Sequence, residues 1–311
     1  VLVSSFFKIK MSLMRVVAIT GCDSGLGWSM AARSAQEGFI TFAGMYQSVD
    51  TQAAESLQNL GVHTHLLDVT NQESVSQFRN SVNGLLKGNS SYKLHAIVNN
   101  AGVMTVGDFE WQTHTMIENT IKVNLLGAMR VASAFLPELR KKAYTSKPRL
   151  INVASHCGLQ PLPGFATYSA SKAAMISWTN ALRMEQSGHG LSAVAFVPGG
   201  FITASNIISK QGAYGQEMLE HLNDEQKSFY EKRITSLSDY LNKATVHGVS
   251  YDSLKDENIL NTFVKALTDD DPKKLYKVES WRYMFFHNLL KFPFSEKKRY
   301  WLVKKFLNFP E

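Results

Sequence analysis

Short apolar runs alternate with longer amphipathic stretches along the first two thirds of the chain. RVVAIT (15–20) predicts a buried strand, and Leu26 to Glu37 a helix closed by Gly38. Further strands are expected at FITFAGMY (39–46), VHTHLLD (62–68), LHAIVNN (94–100), RLINVA (149–154) and LSAVAFV (191–197). Between them fall a polar helix near Gln72 to Leu86, a long helix over roughly Glu110 to Lys142, and one from about Phe165 to Gln186. Continuous apolar strands alternating with helices predict right-handed βαβ units and a parallel sheet covered on both faces. After Pro198 the pattern changes. Residues 204–247 are polar and helix-like, with apolar positions at Met218, Leu219, Leu222, Phe229 and Ile234, and KLYKV (274–278) suits a short strand. The expected class is α/β: one doubly wound domain over residues 15–280, with a helical insertion at 204–247, then a basic, aromatic C-terminal tail at 281–311.

Composition narrows this picture. The 311 residues are 44% hydrophobic, enough for one large α/β core or two smaller ones. Two cysteines, Cys22 and Cys157, make a disulfide framework a poor expectation, and the nine scattered histidines show no zinc-ligand spacing, so no metal is expected. The net charge of +7 is local: residues 273–311 hold ten Lys/Arg and three Glu, and the rest of the chain holds 23 of each sign. A uniformly basic nucleic-acid surface is therefore a poor reading, and a membrane-facing or partner-facing patch a better one. No run of about 18 apolar residues exists to span a bilayer. Residue 1 is Val, so the chain is expected to be trimmed or partial, with an upstream anchor left open.

Candidate chemistry begins directly after the first strand, at TGCDSGLG, with Gly21, Gly25 and Gly27. A strand turning sharply into a helix offers free N–H groups and a helix dipole to a pyrophosphate, and glycines let the backbone approach it. The same glycines could serve a plain strand-to-helix turn, but the strand before and the helix and strand after favour a Rossmann-type dinucleotide site. The spacing is G-x-x-x-G-x-G rather than G-x-G-x-x-G. With Asn99-Asn100-Ala101-Gly102, Asn124, Ser155, Tyr168, Lys172 and Pro198-Gly199 with Thr203, in that order, the sequence resembles the classical short-chain dehydrogenase/reductase family over residues 15–203. The stretches VNNAG, VNLLGAMRV, LINVASHCGLQPLPGFATYSASKAA and VPGGFIT resemble the branch that holds retinol dehydrogenases, 17β-hydroxysteroid dehydrogenase type 2 and D-β-hydroxybutyrate dehydrogenase. The resemblance fades after about residue 204.

Tyr168 and Lys172 stand at i and i+4, on one face of the predicted helix. A tyrosine needs its pKa lowered by about 3 units, roughly 4 kcal/mol, to act as a base near neutrality. An ammonium at roughly 4 Å supplies about that much at an intermediate dielectric, and an oxidised nicotinamide adds positive charge. Tyr-x-x-x-Lys recurs at Tyr251/Lys255, with Ser238 thirteen residues upstream as Ser155 is of Tyr168, and at Tyr300/Lys304, with His287 in the serine position. The first of these has no strand before its serine and is expected to be solvated helix or loop, and the second lies in the basic tail. The resemblance implies that Ser155 holds the substrate oxygen, that Tyr168 exchanges the alcohol proton as hydride passes to or from the nicotinamide, that Lys172 also binds the nicotinamide ribose, and that Asn124 holds a water behind that lysine. It implies cofactor contacts at Gly21, Ser24, Gly25, Leu26, Gly27, Met45, Asp68, Val69, Asn100, Ala101, Gly102, Tyr168, Lys172, Pro198, Gly199 and Thr203.

Cofactor choice in this family follows the charge at the end of the second strand or just before the second glycine. Met45, Tyr46 and Ser24 stand there, neither basic nor acidic. A 2′-phosphate without a cation is poorly compensated, so NAD(H) is expected, with NADP the alternative. The expected substrate is an alcohol or ketone of a lipophilic molecule, a steroid ahead of a retinoid. A hydroxy acid comes third, because no arginine is evidently placed for a carboxylate; an idle NAD(H)-binding sensor or scaffold is the reading from another class. In the tail, Leu302, Val303, Phe306 and Leu307 share a helical face away from Lys304 and Lys305, which suits a helix on an anionic membrane or one packed on the domain. The resemblance implies a homodimer, and the expected location is membrane-associated, endoplasmic reticulum ahead of mitochondrion, with the cytosol as alternative. His156 and Cys22 could be reactive, but a packed histidine and a small filler residue are the plainer expectations.

Overall fold

A computed structural model describes residues 14–141, 146–200, 206–243 and 250–307. Among these, seven strands form one parallel sheet in the order β3-β2-β1-β4-β5-β6-β7. They are β1 (Met14–Thr20), β2 (Ile40–Met45), β3 (His63–Leu66), β4 (Tyr92–Asn99), β5 (Arg149–Val153), β6 (Ser192–Val197) and β7 (Leu275–Lys277). Five residues of β1 and all of β5 are buried, as strands covered on both faces must be. The chain runs outward from β1 to β3, then returns to β4 on the other side of β1. That reversal opens a crevice beyond the carboxyl ends of β1 and β4, where open α/β sheets bind ligands.

Helices α1 (Gly25–Gln36), α2 (Gln52–Asn59) and α3 (Gln72–Gly88) connect the first four strands. The expected long helix is three pieces: α4 (His114–Ile121), a π-helical turn (Lys122–Gly127) and α5 (Ala128–Arg140). Thr113 starts it, its side chain accepting from the Met116 N–H at 3.2 Å. α6 (His156–Leu159) and α7 (Ala166–Gln186) follow β5; α8 (Gln211–His221) and α9 (Asp224–Lys243) form the insertion. Beyond it lie α10 (Glu257–Thr268), α11 (Trp281–Leu289) and α12 (Glu296–Leu307).

The hydropathy reading missed α2 and α10, though both carry ordinary signals. Thr51 caps α2 on the Ala54 N–H, and Asp256 caps α10 on the N–H groups of Asn258 and Ile259. α10 buries Ile259, Leu260, Phe263, Ala266 and Leu267 against the sheet, each large side chain contributing about 1.5–3 kcal/mol. Its C-terminal carbonyls meet buried donors: Arg149 to Ala266 (3.3 Å) and to Asp269, and His95 Nε2 to Leu267 (2.7 Å). Burial pushes the His95 imidazole down to about 4, so it is neutral at pH 7 and acts as a donor, not a charge.

The insertion folds over the carboxyl ends of β4 and β5. Gln211, at its start, is buried and pairs with Val106 through both amide ends (2.6 and 3.1 Å). Glu110 accepts from Gln226 and Tyr230 (both 2.9 Å), and Arg233 pairs with Asp108 (2.9 Å). Met218, Ile234, Leu237 and Leu241 then pack in one cluster with Met104, Trp111, Phe165 and Tyr168. Among the described residues, no helix is long and apolar enough to cross a membrane.

Candidate active site

The glycine loop is shaped by contacts that leave no room for a side chain. Gly21 and Gly25 have φ of +71° and +56°, a region glycine enters freely. A Cβ on Gly27 would lie 2.0 Å from the Gly21 carbonyl oxygen, and one on Gly21 would lie 2.8 Å from Ala101 Cα. Asn100 locks the loop: its Nδ2 donates to the carbonyls of Thr20 (3.0 Å) and Gly21 (2.9 Å), and Thr20 Oγ1 accepts from the N–H groups of Asn100 and Ala101. Asn99 points elsewhere, buried, donating to Asn152 (2.8 Å) and the Ala128 carbonyl (3.2 Å). Ser24 caps α1 in extended backbone without a side-chain cap bond. Cys22 is buried, and burial raises its thiol well above the usual range, so it is a packed residue.

A cavity of about 740 Å³ runs from this loop across the carboxyl ends of the strands to the tail. Gly21, Ser24, Leu26, Gly27, Asp68, Val69, Asn100, Ala101, Gly102, Ser155, Tyr168, Lys172, Pro198 and Gly199 all line it. Met45 does not: its side chain is fully buried in the core between sheet and helices, because strand alternation turns it away, and Tyr46 and Gln47 line the cavity instead. Asp68 Oδ1 accepts from the Thr70 N–H and hydroxyl (both 2.8 Å), closing its own turn at the cavity edge. Thr203 lies outside the described residues. The sequence reading found no acid at the end of β2; the fold brings the Asp23 carboxylate there from the glycine loop, where it accepts from the Tyr46 N–H.

The polar group at the other end is built on β5, α6 and α7. Ser155 caps α6, accepting from the Cys157 N–H (3.2 Å), and the Tyr168 hydroxyl hydrogen-bonds with Ser155. Lys172, one turn after Tyr168, is buried and donates from Nζ to the Val153 carbonyl at 2.9 Å. Its Nζ is 5.8 Å from the Tyr168 ring centroid. Asn124 is fully buried in the π-helical turn. Its Oδ1 accepts from the Val103 N–H (2.8 Å), and its Nδ2 donates to the Val103 carbonyl (2.9 Å) and Ser171 Oγ (3.1 Å). Both ends of the Asn124 amide therefore clamp the loop after β4 to the helix bearing Tyr168. Gly102 lies between: a Cβ there would be 3.3 Å from Asn124 Oδ1 and 3.6 Å from Lys172 Nζ.

The expected charge coupling is not the controlling effect in this pocket. Burial pushes the Tyr168 hydroxyl well above the usual phenol range, aided by Cys157 and Tyr283 and opposed by the bond to Ser155. Burial pulls the Lys172 ammonium down to about 8. Desolvation favours the neutral form of each group and is the largest effect on both. Hydrogen-bond donors and a cationic cofactor ring act in the opposite sense, toward the phenolate.

The other two Tyr-x-x-x-Lys copies are dispersed. Ser238 lies on α9, and Lys255 is exposed beside Asp252 (3.9 Å). Tyr251 is in a turn but is packed rather than solvated: its ring lies 5.2 Å from that of Trp28, and its carbonyl accepts from the Gly25 N–H at 2.8 Å. Tyr300 and Lys304 lie on α12. Sequence reasoning missed that the tail reaches the cavity. Tyr283, Phe306 and Leu307 line it, as do Arg282 and, from the insertion, Lys210. His156 is buried outside the cavity lining, its Nε2 3.0 Å from the Val278 carbonyl. The aromatic density of the tail was visible in the sequence, but its fold-back was not.

The residues present fit a dinucleotide: a strand-to-helix loop that excludes side chains, opening on one long cavity with a buried lysine at its far end. The chain matches the short chain dehydrogenase family over residues 15–212. It is 29% identical over 273 residues to the mitochondrial D-β-hydroxybutyrate dehydrogenase of Rattus norvegicus, covering 84% of this chain and 76% of that protein. It is 33% identical over 222 residues to estradiol 17-beta-dehydrogenase 2 of Rattus norvegicus, covering 70% of this chain and 56% of that protein. The structure of an NADPH-bound carbonyl reductase from chicken fatty liver is similar with a TM-score of 0.55 at 27% identity, covering 60% of this chain and 79% of that one. A short-chain dehydrogenase from Streptomyces avermitilis shares the fold with a TM-score of 0.62 at 22% identity, covering 85% and 88%. The chain belongs to the short-chain dehydrogenase family, in the branch of these dehydrogenases. It is an oxidoreductase that uses NAD(P) and acts on CH–OH groups.

Proposed function

We propose that this chain is an NAD(H)-dependent dehydrogenase that interconverts an alcohol and a carbonyl on a lipophilic molecule, a steroid ahead of a retinoid. The observation that carries the reading is the Ser155, Tyr168 and Lys172 group beside an apolar wall of Met104, Leu162, Phe165, Tyr283 and Phe306. The nicotinamide cofactor, when bound, supplies the hydride acceptor or donor. Gly21, Ser24, Gly25, Leu26 and Gly27 would hold its pyrophosphate, Asp68 and Val69 its adenine, and Asn100, Ala101, Gly102, Pro198 and Gly199 its middle and nicotinamide end. Thr203 belongs to the same proposal.

Ser155 Oγ donates to the substrate oxygen and orients it. Tyr168 Oη takes the alcohol proton in oxidation and returns it in reduction. Lys172, held by the Val153 carbonyl and beside Gly102, would keep an ammonium near that oxygen and would hold the cofactor ribose. Asn124 sets the position of Lys172 by fixing the loop and helix around it, and its Oδ1, which accepts one bond from the Val103 N–H, keeps a second lone pair for the water expected of it. The insertion and tail exclude water from the reacting atoms.

A second reading is a hydroxy acid, supported by the cations Lys210 and Arg282 in the cavity lining, of the sign a carboxylate would need; the hydroxybutyrate dehydrogenase relative is in keeping with it. The sensor reading remains as the outcome in which cofactor binds and nothing turns over. The exposed Trp281, Phe285, Phe292 and Trp301 among tail cations support a peripheral contact with an anionic membrane. A homodimer completes the proposal. The proposed location is the endoplasmic reticulum ahead of the mitochondrion, although the hydroxybutyrate dehydrogenase relatives are named mitochondrial.

The test is nicotinamide absorbance with a panel of steroids, retinol and 3-hydroxybutyrate. Turnover of a steroid or retinoid supports the lipophilic reading, and turnover of hydroxybutyrate alone moves it to the second. A silent panel with tight cofactor binding supports the sensor. Liposome flotation of this chain against one ending near residue 280 tests the membrane contact, which equal binding removes.

A further inference from the structure

The glycine loop carries an acid that the proton chemistry does not use. Asp23 follows Cys22 in TGCDSGLG, and its carboxylate reaches the end of β2. One oxygen accepts from the N–H groups of Tyr46 (3.0 Å) and Gln47 (2.9 Å), and the other from Tyr46 at 2.9 Å. Asp23, Tyr46 and Gln47 line the cavity with Ser24 and Asp68. β2 is three strand spacings from β5, about 14 Å, so this is the end remote from Ser155 and Tyr168.

Successive backbone N–H groups converging on one point make a small anion site. In a doubly wound sheet the end of β2 is where the adenosine ribose of a dinucleotide lies. Here that site already holds an anion, supplied by the chain itself. A ribose diol can donate to the free lone pairs of the carboxylate. A 2′-phosphate cannot, and it would find both N–H groups taken. Among the described residues, the cations lining the cavity are Lys172, Lys210 and Arg282, none of them on β1, β2, β3 or the loops that follow these strands. Repulsion between unit charges about 4 Å apart corresponds to binding weakened about fivefold in a water-like medium and several-hundredfold at an intermediate dielectric.

We propose that Asp23 is the cofactor-specificity residue of this enzyme: it accepts from the adenosine ribose of NAD(H) and excludes the 2′-phosphate of NADP(H). This deepens the NAD(H) reading above and rests on it. The acid comes from the glycine loop, not from β2, and so leaves no charge in the strand-end positions Met45 and Tyr46.

The test is equilibrium binding without substrate, by fluorescence of NADH and NADPH and by calorimetry of 5′-ADP and 2′,5′-ADP. The wild-type chain is expected to bind each unphosphorylated ligand at least about tenfold more tightly than its 2′-phosphorylated partner. Raising ionic strength should narrow that ratio, because the exclusion is electrostatic. Asp23→Asn keeps an acceptor for one N–H and removes the charge; it should cut the ratio about tenfold, mainly by strengthening 2′,5′-ADP. Asp23→Ser should cut it further, by freeing the N–H groups. The salt series on the wild-type chain stands even if a variant folds poorly, and 5′-ADP binding reports whether the loop still forms. A wild-type preference for NAD(H) that neither salt nor either variant alters overturns the role of Asp23 alone. Tighter wild-type binding of NADPH than NADH overturns both this role and the NAD(H) reading.

Discussion

Tyr283, in the first tail helix, stacks on His156, the residue after Ser155, with ring centroids 4.6 Å apart and planes 24° from parallel. Burial lowers the His156 imidazole below its usual range, so the neutral ring donates from Nε2 to the Val278 carbonyl. Tyr283 also packs edge-on against Phe306, at 4.9 Å. One aromatic chain thus ties the tail to the strand end that carries Ser155, and makes the tail a wall of the cavity.

Replacing Tyr283 by Ala should therefore act on substrate rather than cofactor. A stacked pair is worth about 0.5–1.5 kcal/mol, which corresponds to a rise in KM of about two- to twelvefold. NADH affinity, measured by fluorescence, should stay within about twofold.

Tyr168→Phe removes the proton carrier and keeps the ring in the apolar cluster. Turnover should fall by at least about 10²–10⁴-fold while NADH binding persists. Single-turnover kinetics and a binding titration on the same preparation check both halves.

Gly27→Ala places a methyl 2.0 Å from the Gly21 carbonyl oxygen, where backbone faces backbone and neither can give. Cofactor affinity should drop more than about tenfold, and the strain should lower stability by about 1–3 kcal/mol. Calorimetry with NADH and urea unfolding provide the two readouts.

His95 gives acid sensitivity with a defined window. Its folded pKa, about 4, lies below the usual 6.5, so between these values the unfolded chain binds the proton and the folded chain does not. Its share of stability is complete above pH 6.5 and is lost as pH falls toward 4, up to about 3 kcal/mol. His95→Gln should flatten that part of the profile. Urea unfolding of both proteins at pH 7.5 and 4.5 measures the difference.

Lys172, pulled down to about 8 by burial, works in the opposite half of the scale. Between pH 8 and 10.5 the unfolded chain again holds the extra proton, so stability should rise with pH there. Lys172→Met should lose this rise along with cofactor binding.

The periodic signals in the sequence were enough for the sheet. Buried strands such as β1 and β5 are mostly apolar, and a run of that kind is local, so RVVAIT and RLINVA declare themselves without tertiary information. The glycine, asparagine and serine positions were legible for the same reason: each needs a particular backbone turn at a strand end, and turns are written in neighbouring residues. α2 and α10 were legible too, through Thr51 and Asp256, but their short apolar faces were overlooked. Three things belong to the tertiary structure alone. The Asp23 carboxylate reaches β2, Tyr283 and Phe306 fold back over the cavity, and Arg149 and His95 cap α10 from β5 and β4. Each joins residues far apart in sequence across the sheet or its edge, and no periodicity records such a meeting. Burial itself decided the protonation of Tyr168 and Lys172. Their spacing fixed which side chains would meet, but the dielectric around them comes from the insertion and tail packed on top.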